Sequence, residues 1–268
     1  MRASKVLFLL LMISVFVSSN LFSFGPASHY SLLITVKNKL PVGSKIRTAL
    51  EQYINIATTG ANGPDIGYGQ VRSVMGYAPW ADQYHYDKVG SMAYYQLKDA
   101  LRNNNNQQIA WAAGWITHVV GDLACHGKFV NPEPGVGVYM DNPSGRDLHK
   151  NLERWAEPYI WVYAGLNISN YNKSYLPSIF SINSTVISHL TATSQKVYLK
   201  SPTSSEVQNW FSLYTTSLSL GVGAYVYTDY NTALQNLNIG TRKARLESAF
   251  NTAINDAVKL LLEVEASY

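Results

Sequence analysis

The stretch Trp115-Ile-Thr-His118-Val-Val-Gly-Asp122-Leu-Ala-Cys-His126-Gly127 decides how the rest of the chain is read. It closes an apolar run that starts near Ile109, and its polar residues His118, Asp122 and His126 recur at every fourth position. On a helix of 3.6 residues per turn they lie along one stripe. Two imidazoles and a carboxylate among apolar neighbours are costly to desolvate unless something neutralises them. Neutral imidazole and ionised carboxylate are donors that zinc takes, so a metal site is one reading, and a pair of core histidines flanking an Asp is the other. At about 1.5 Å rise per residue, His118 and His126 sit roughly 12 Å apart along the axis, too far to share an ion whose bonds to nitrogen run about 2.0 to 2.1 Å. If both are ligands, they serve separate ions. Asp122 is one turn from each, and its two oxygens could bridge ions about 3.5 to 4 Å apart.

Composition narrows the field. The 268 residues are 47% hydrophobic and 14% charged, which fits one globular domain burying roughly 70 to 75% of its unfolded surface. The single cysteine, Cys125, excludes an intrachain disulfide framework and cysteine-based structural zinc, and it reads as a small buried apolar side chain. Arg2 and Lys5 precede the apolar run Val6 to Val17, and Ser18, Ser19 and Ser23 follow. That order is expected of a secretory signal over residues 1–23, leaving 24–268 as the mature domain, secreted or extracytoplasmic. The run is short for a membrane span, and no later run is long enough. Removal of Arg2 and Lys5 would leave 19 basic residues of the 21 against 17 acidic ones, so the balance falls from +4 to +2. Such a chain is not steered strongly to nucleic acid or anionic lipid by its net charge.

Along the chain, Ser28 is placed to cap a helix beginning at His29 and broken by Pro41, with His29 at its exposed mouth. Residues 43–57 read as an amphipathic helix with Ile46, Leu50, Tyr53 and Ile54 on one face. The breaker-rich segment Thr59 to Gly69 reads as a loop, in which Asp65 alone would be a turn-maker. His85 lies among aromatics between Trp80 and Asp87, and helices are expected over Lys88 to Arg102 and around Arg146 to Trp155. In the latter, His149 and Glu153 form an i, i+4 pair about 5 to 6 Å apart at Cβ, able to grip one ion or to share a hydrogen bond. Residues 165–235 are rich in Ser, Thr, Asn and Tyr and carry little legible pattern; sequons at Asn167, Asn172 and Asn183 are compatible with export, and His189 is expected at the surface. Lys243 to Tyr268 reads as a helix with Leu246, Phe250, Ile254, Val258 and Leu261 on its core face. The fold class is therefore all-α, a single multi-helix domain.

The set His29, Asp65, His85, His118, Asp122, His126, His149 and Glu153 resembles the zinc-dependent phospholipase C family. That family is related to the zinc nucleases that prefer single strands, and resembles the catalytic part of glycosylphosphatidylinositol-specific phospholipase D. The matching text is Gly63-Pro-Asp65-Ile-Gly-Tyr68, then His85, then Gly114-Trp-Ile-Thr-His118-Val-Val-Gly-Asp122-Leu-Ala-Cys-His126, then His149-x3-Glu153. The resemblance runs from about Phe24 to Trp155 and implies a trinuclear zinc site between helices. By resemblance, Asp65, His85, His118 and Asp122 hold a first Zn2+. Asp122, His29 and the amino nitrogen and carbonyl of mature residue Phe24 hold a second, and His126, His149 and Glu153 a third. Asp65 and Asp122 are the implied catalytic carboxylates, Asp65 doubling as general base.

Two departures stand out. Many bacterial members and the nucleases space the last pair as Asp-x5-His, whereas Asp122-x3-His126 looks more like the glycosylphosphatidylinositol branch. The family's first residue is commonly Trp, where Phe24 stands here, and only cleavage after Ser23, not after Ser19, would leave it first. The implied activity is hydrolysis of a phospholipid, or another phosphodiester, by a metal-activated water. Trp80, Trp111 or exposed tyrosines are candidates for peripheral membrane contact, although such aromatics serve equally well in a core. A nuclease is a weaker alternative given the small positive balance and lack of disulfides, and a non-enzymatic zinc- or lipid-binding protein is a third. A monomer is expected.

Overall fold

The computed structural model describes residues 24–69, 79–136, 143–221 and 227–268; the expected signal segment lies outside them. Every regular element among the described residues is helical. In chain order these are α1 (Pro26–Lys39), α2 (Lys45–Gln52), α3 (Ile54–Gly60), the single turn α4 (Gly63–Ile66), α5 (Pro79–Tyr86), α6 (Val89–Arg102), α7 (Asn106–Cys125), α8 (Pro143–Tyr163), the single turn α9 (Tyr175–Ser178), α10 (Ser184–Tyr198), α11 (Ser204–Leu220), α12 (Tyr230–Leu237) and α13 (Arg242–Glu265).

The decisive stretch falls in α7, around which the domain is assembled. Its first turn is fastened by Asn105, whose side chain accepts from the amides of Gln107 and Gln108 at 3.1 and 3.2 Å. From Ile109 to His118 every residue is buried, as required of a helix enclosed on all sides, and α1, α2, α3, α6 and α13 all pack against it. At Cys125 the α-helix gives way to a wide π turn, His126–Val130, closed by the Asn131 amide donating to the His126 carbonyl at 3.0 Å. Such widened turns are common at functional sites.

Glycines set how closely α3 approaches. A Cβ at Gly114 would lie 2.1 Å from the carbonyl oxygen of Ala57, and one at Gly60 would lie 2.2 Å from that of Trp111. The two backbones touch where neither carries a side chain. The helix expected over 43–57 is in fact two, because Tyr53 takes φ −130° and ψ 45° and turns the chain between α2 and α3. The expected loop Thr59 to Gly69 is likewise mostly helical, holding the end of α3, the turn α4 and a 3-10 turn, Gly67–Gly69.

Three further expectations are corrected. Helix α1 starts earlier than expected, with Gly25 as cap and Pro26 in its first turn, so Ser28 is inside the helix and His29 is fully buried. The cap comes from far away: Glu157 on α8 accepts from the Ala27 amide at 2.7 Å. His189 is buried rather than at the surface, its Nε2 2.9 Å from the carbonyl of Gln96. Trp111 is wholly buried, with its indole N–H donating to Gln96, and cannot meet a membrane. The poorly legible residues 165–235 contain α9, α10, α11 and the start of α12, and the expected helix around Arg146 to Trp155 extends over the whole of α8.

Candidate metal centre

Six elements supply the eight side chains suggested by sequence, His29 from α1, Asp65 from α4, His85 from α5, His118 and Asp122 from α7, His126 from the π turn, and His149 and Glu153 from α8; of these, His85, His118, Asp122, His126 and His149 line one cleft. The Gly60–Gly114 contact sets this up locally. It carries the Ala61 carbonyl to 3.0 Å from His118 Nδ1 and delivers Asp65 one turn later. Gly121 does the same for α1, since a Cβ there would meet Leu32 at 2.8 Å, and His29 packs one helical turn from Leu32. The His29 and His118 rings stack with centroids 4.1 Å apart.

Three groups of donor atoms result, each with its members within 4.8 Å of one another: His29, Asp65 and His118; His85, His118 and Asp122; and His126, His149 and Glu153. Asp122 lies between rings, with Oδ1 3.4 Å from His29 Nε2 and Oδ2 3.2 Å from His118 Nε2. His85 Nε2 is 3.2 Å from Asp65 and 3.9 Å from Asp122. Glu153 Oε1 sits 3.1 Å from His126 Nε2 and 3.0 Å from His149 Nε2. His118 and His126 thus fall in separate groups, as the helix rise requires. Phe24 is buried with its ring edge-on to His29, centroids 5.9 Å apart, so it lies beside the cluster.

The chemistry of these donors fits a cation. His118 Nδ1 faces the Ala61 carbonyl and His85 Nδ1 faces the Ala81 carbonyl at 2.8 Å. A carbonyl only accepts, so both Nδ1 atoms carry hydrogen, and in its neutral form each ring would aim an Nε2 lone pair inward. Those two Nε2 atoms are only 3.3 Å apart and face carboxylates as well. Acceptors crowded in this way repel unless a positive charge lies among them. Both nitrogens of His29 and Oδ1 of Asp122 are buried without a hydrogen-bond partner, which costs free energy; a cation would take up Asp122 Oδ1 and the one lone pair of the neutral His29 ring.

Electrostatics agree. Burial pushes His29 well below the ordinary imidazole range, His118 adds to the effect, and Asp122 opposes it only in part. Burial also works to lower His85, but the hydrogen bond and charge of Asp65, with the charge of Asp122, outweigh it and raise that ring to about 9. Asp122 keeps its charge although burial opposes it, because His118 holds it well below the usual carboxylate range. Burial likewise opposes a charge on His126, yet Glu153 raises it. A second proton on His85 therefore answers the carboxylates when no metal does, and a metal would displace it.

Sequence reasoning missed other parts of the site. The cleft, about 560 Å³, is also lined by Tyr68, Tyr84, Tyr86, Val89, Leu123 and Asn131. Tyr68 belongs to the Gly-Pro-Asp-Ile-Gly-Tyr motif, and its ring centroid is 5.5 Å from that of His85. Its neighbourhood to Asp65 in that motif was the available signal. Glu157, which burial raises to about 7, fixes the start of the helix that carries His29; only its spacing of four from Glu153 could have singled it out.

A compact helical domain with a buried imidazole and carboxylate centre opening on a cleft has the donor set of a metal centre. The zinc-dependent phospholipase C family matches residues 28–204, more than half of the chain, and the protein belongs to that family. No curated protein matches the chain, and no solved structure does.

Proposed function

We propose that this protein is a secreted phospholipase C that hydrolyses phospholipids at a cluster of three zinc ions. The observation that carries the reading is the convergence of the Nε2 atoms of His85 and His118 with the carboxylates of Asp65 and Asp122. Asp65, His85, His118 and Asp122 would hold one ion, Asp122 and His29 with the main chain of Phe24 a second, and His126, His149 and Glu153 a third. The second assignment needs cleavage after Ser23, which would free the Phe24 amine; the burial of Phe24 against His29 supports it.

Zinc bound there would supply a Lewis acid for the phosphoryl oxygens and bring the pKa of water near neutrality. The chain's own groups do the rest. The Ala61 and Ala81 carbonyls fix the tautomers of His118 and His85. Asp65 takes the proton of the attacking water on a carboxylate oxygen. Water adds to phosphorus, the bond from phosphorus to the glycerol oxygen breaks, and that oxygen takes up a proton, releasing diacylglycerol and a phosphorylated head group. Tyr68, whose phenol burial keeps protonated, lines the cleft as a neutral donor for a phosphoryl oxygen.

Leu123 and Tyr86 line the cleft and remain 72% and 68% exposed, an apolar rim suited to peripheral contact with a lipid surface. The test compares phosphatidylcholine vesicles with single-stranded DNA, with and without a chelator. Vesicle hydrolysis abolished by the chelator is expected, and Leu123→Glu should lower it several-fold while sparing hydrolysis of a soluble chromogenic phosphodiester. Preferential cleavage of the DNA would favour a nuclease, and binding without turnover a non-enzymatic role.

A further inference from the structure

The metal cleft adjoins a second, apolar space. Helices α6 and α13 both pack along α7 but scarcely meet one another, and between them lies a cavity of about 180 Å³. Its walls arise at helical spacing: Ala93 and Tyr94 from α6, Ile116 and Val120 from α7, and Leu260 and Val264 from α13. Apart from the Tyr94 hydroxyl, 3.5 Å from Lys98 Nζ, no side chain lining it bears a polar atom. Gly90 and Val119 line both spaces, so the metal cleft and the groove adjoin there. A Cβ built on Gly90 would meet nothing within 4 Å. No side chain stands at that position where the two spaces adjoin.

We propose that this groove receives an acyl chain of the phospholipid whose phosphate is held at the metal cluster. The inference rests on the phospholipase reading and adds where the lipid lies. An apolar trough leading from an anion-seeking centre matches a molecule that is a phosphodiester at one end and hydrocarbon at the other. A nucleotide base or a peptide would leave its hydrogen-bonding groups unpaired against Ile116, Val120, Leu260 and Val264. The chain would pass over Gly90 and Val119 and lie along α7.

The experiment measures binding of inorganic phosphate and of butyl, hexyl and octyl phosphate to the zinc-loaded protein by titration calorimetry, each alkyl affinity being referred to that of inorganic phosphate in the same protein. In the unmodified protein, each added methylene is expected to tighten binding about fourfold until the groove is filled. Gly90→Trp fills the junction and Leu260→Glu places a charge on the groove's partly exposed wall, and in both the dependence on chain length should flatten. Leu260→Glu touches no packed backbone, so it keeps the test decisive if the tryptophan variant fails to fold. Affinity independent of chain length in the unmodified protein, or an equally steep dependence in both variants, overturns the proposal. A steep dependence in a protein that releases no diacylglycerol from vesicles would instead overturn the phospholipase reading and leave the apolar groove in place.

Discussion

Asp122→Asn is expected to lower kcat/KM on a chromogenic phosphodiester by more than about 100-fold, beyond the upper end of what losing an outer partner of a metal ligand costs. Asn keeps the size of the side chain but not its charge, and Asp122 lies 3.4 and 3.2 Å from rings on α1 and α7. With it neutral, His29 and His118 would face an amide, and the two ions proposed to share Asp122 would lose their bridge. The group of His126, His149 and Glu153 does not include Asp122, so bound zinc should fall from about three to about one per chain. Elemental analysis beside the rate assay checks both halves. Full activity in the variant would contradict the mechanism, and loss of all metal would contradict the independence of the third group.

The second large effect concerns the fold. Gly114→Ala should destabilise the protein by about 4 kcal/mol or more, measured by chemical denaturation, because the new methyl would sit 2.1 Å from a backbone oxygen of α3 and 2.7 Å from the Ala61 nitrogen. No side-chain rotation relieves a clash with backbone. Any shift that did relieve it would carry away the Ala61 carbonyl that orients His118, so surviving folded protein should also bind less zinc. A change under about 1 kcal/mol would show that α3 and α7 are not so closely apposed.

What the sequence revealed and what it hid follow from range. The stripe of His118, Asp122 and His126 is a local pattern fixed by helical period, and the separation of His118 from His126 into different donor groups follows from rise alone. The pairing of His149 with Glu153 is local too, and His149 Nε2 reaches Glu153 Oε1 at 3.0 Å as an i, i+4 pair should. His29 was misplaced because its burial depends on Glu157, 130 residues from Ala27, closing the start of α1. The break at Tyr53 and the contact of Gly60 with Trp111 are likewise consequences of packing against α7. Residues 165–235 looked featureless because their polar residues cap helices. Asn183 and Asp229 accept from the first turns of α10 and α12, and Thr203 and Glu206 form a capping box on α11. The Thr-x-x-Glu spacing was a legible start signal. The ion grouping itself owed more to the family resemblance than to spacing, since Asp65 and His85 carry no local mark that joins them to α7.

The central claim, that these imidazoles and carboxylates converge because they hold zinc, is tested most directly by the metal content of the purified chain beginning at Phe24, equilibrated with zinc and freed of excess. About three zinc ions per chain, removed by a chelator and restored by zinc with recovery of phosphodiester hydrolysis, is the result the account predicts. A folded protein that takes up no zinc would contradict it.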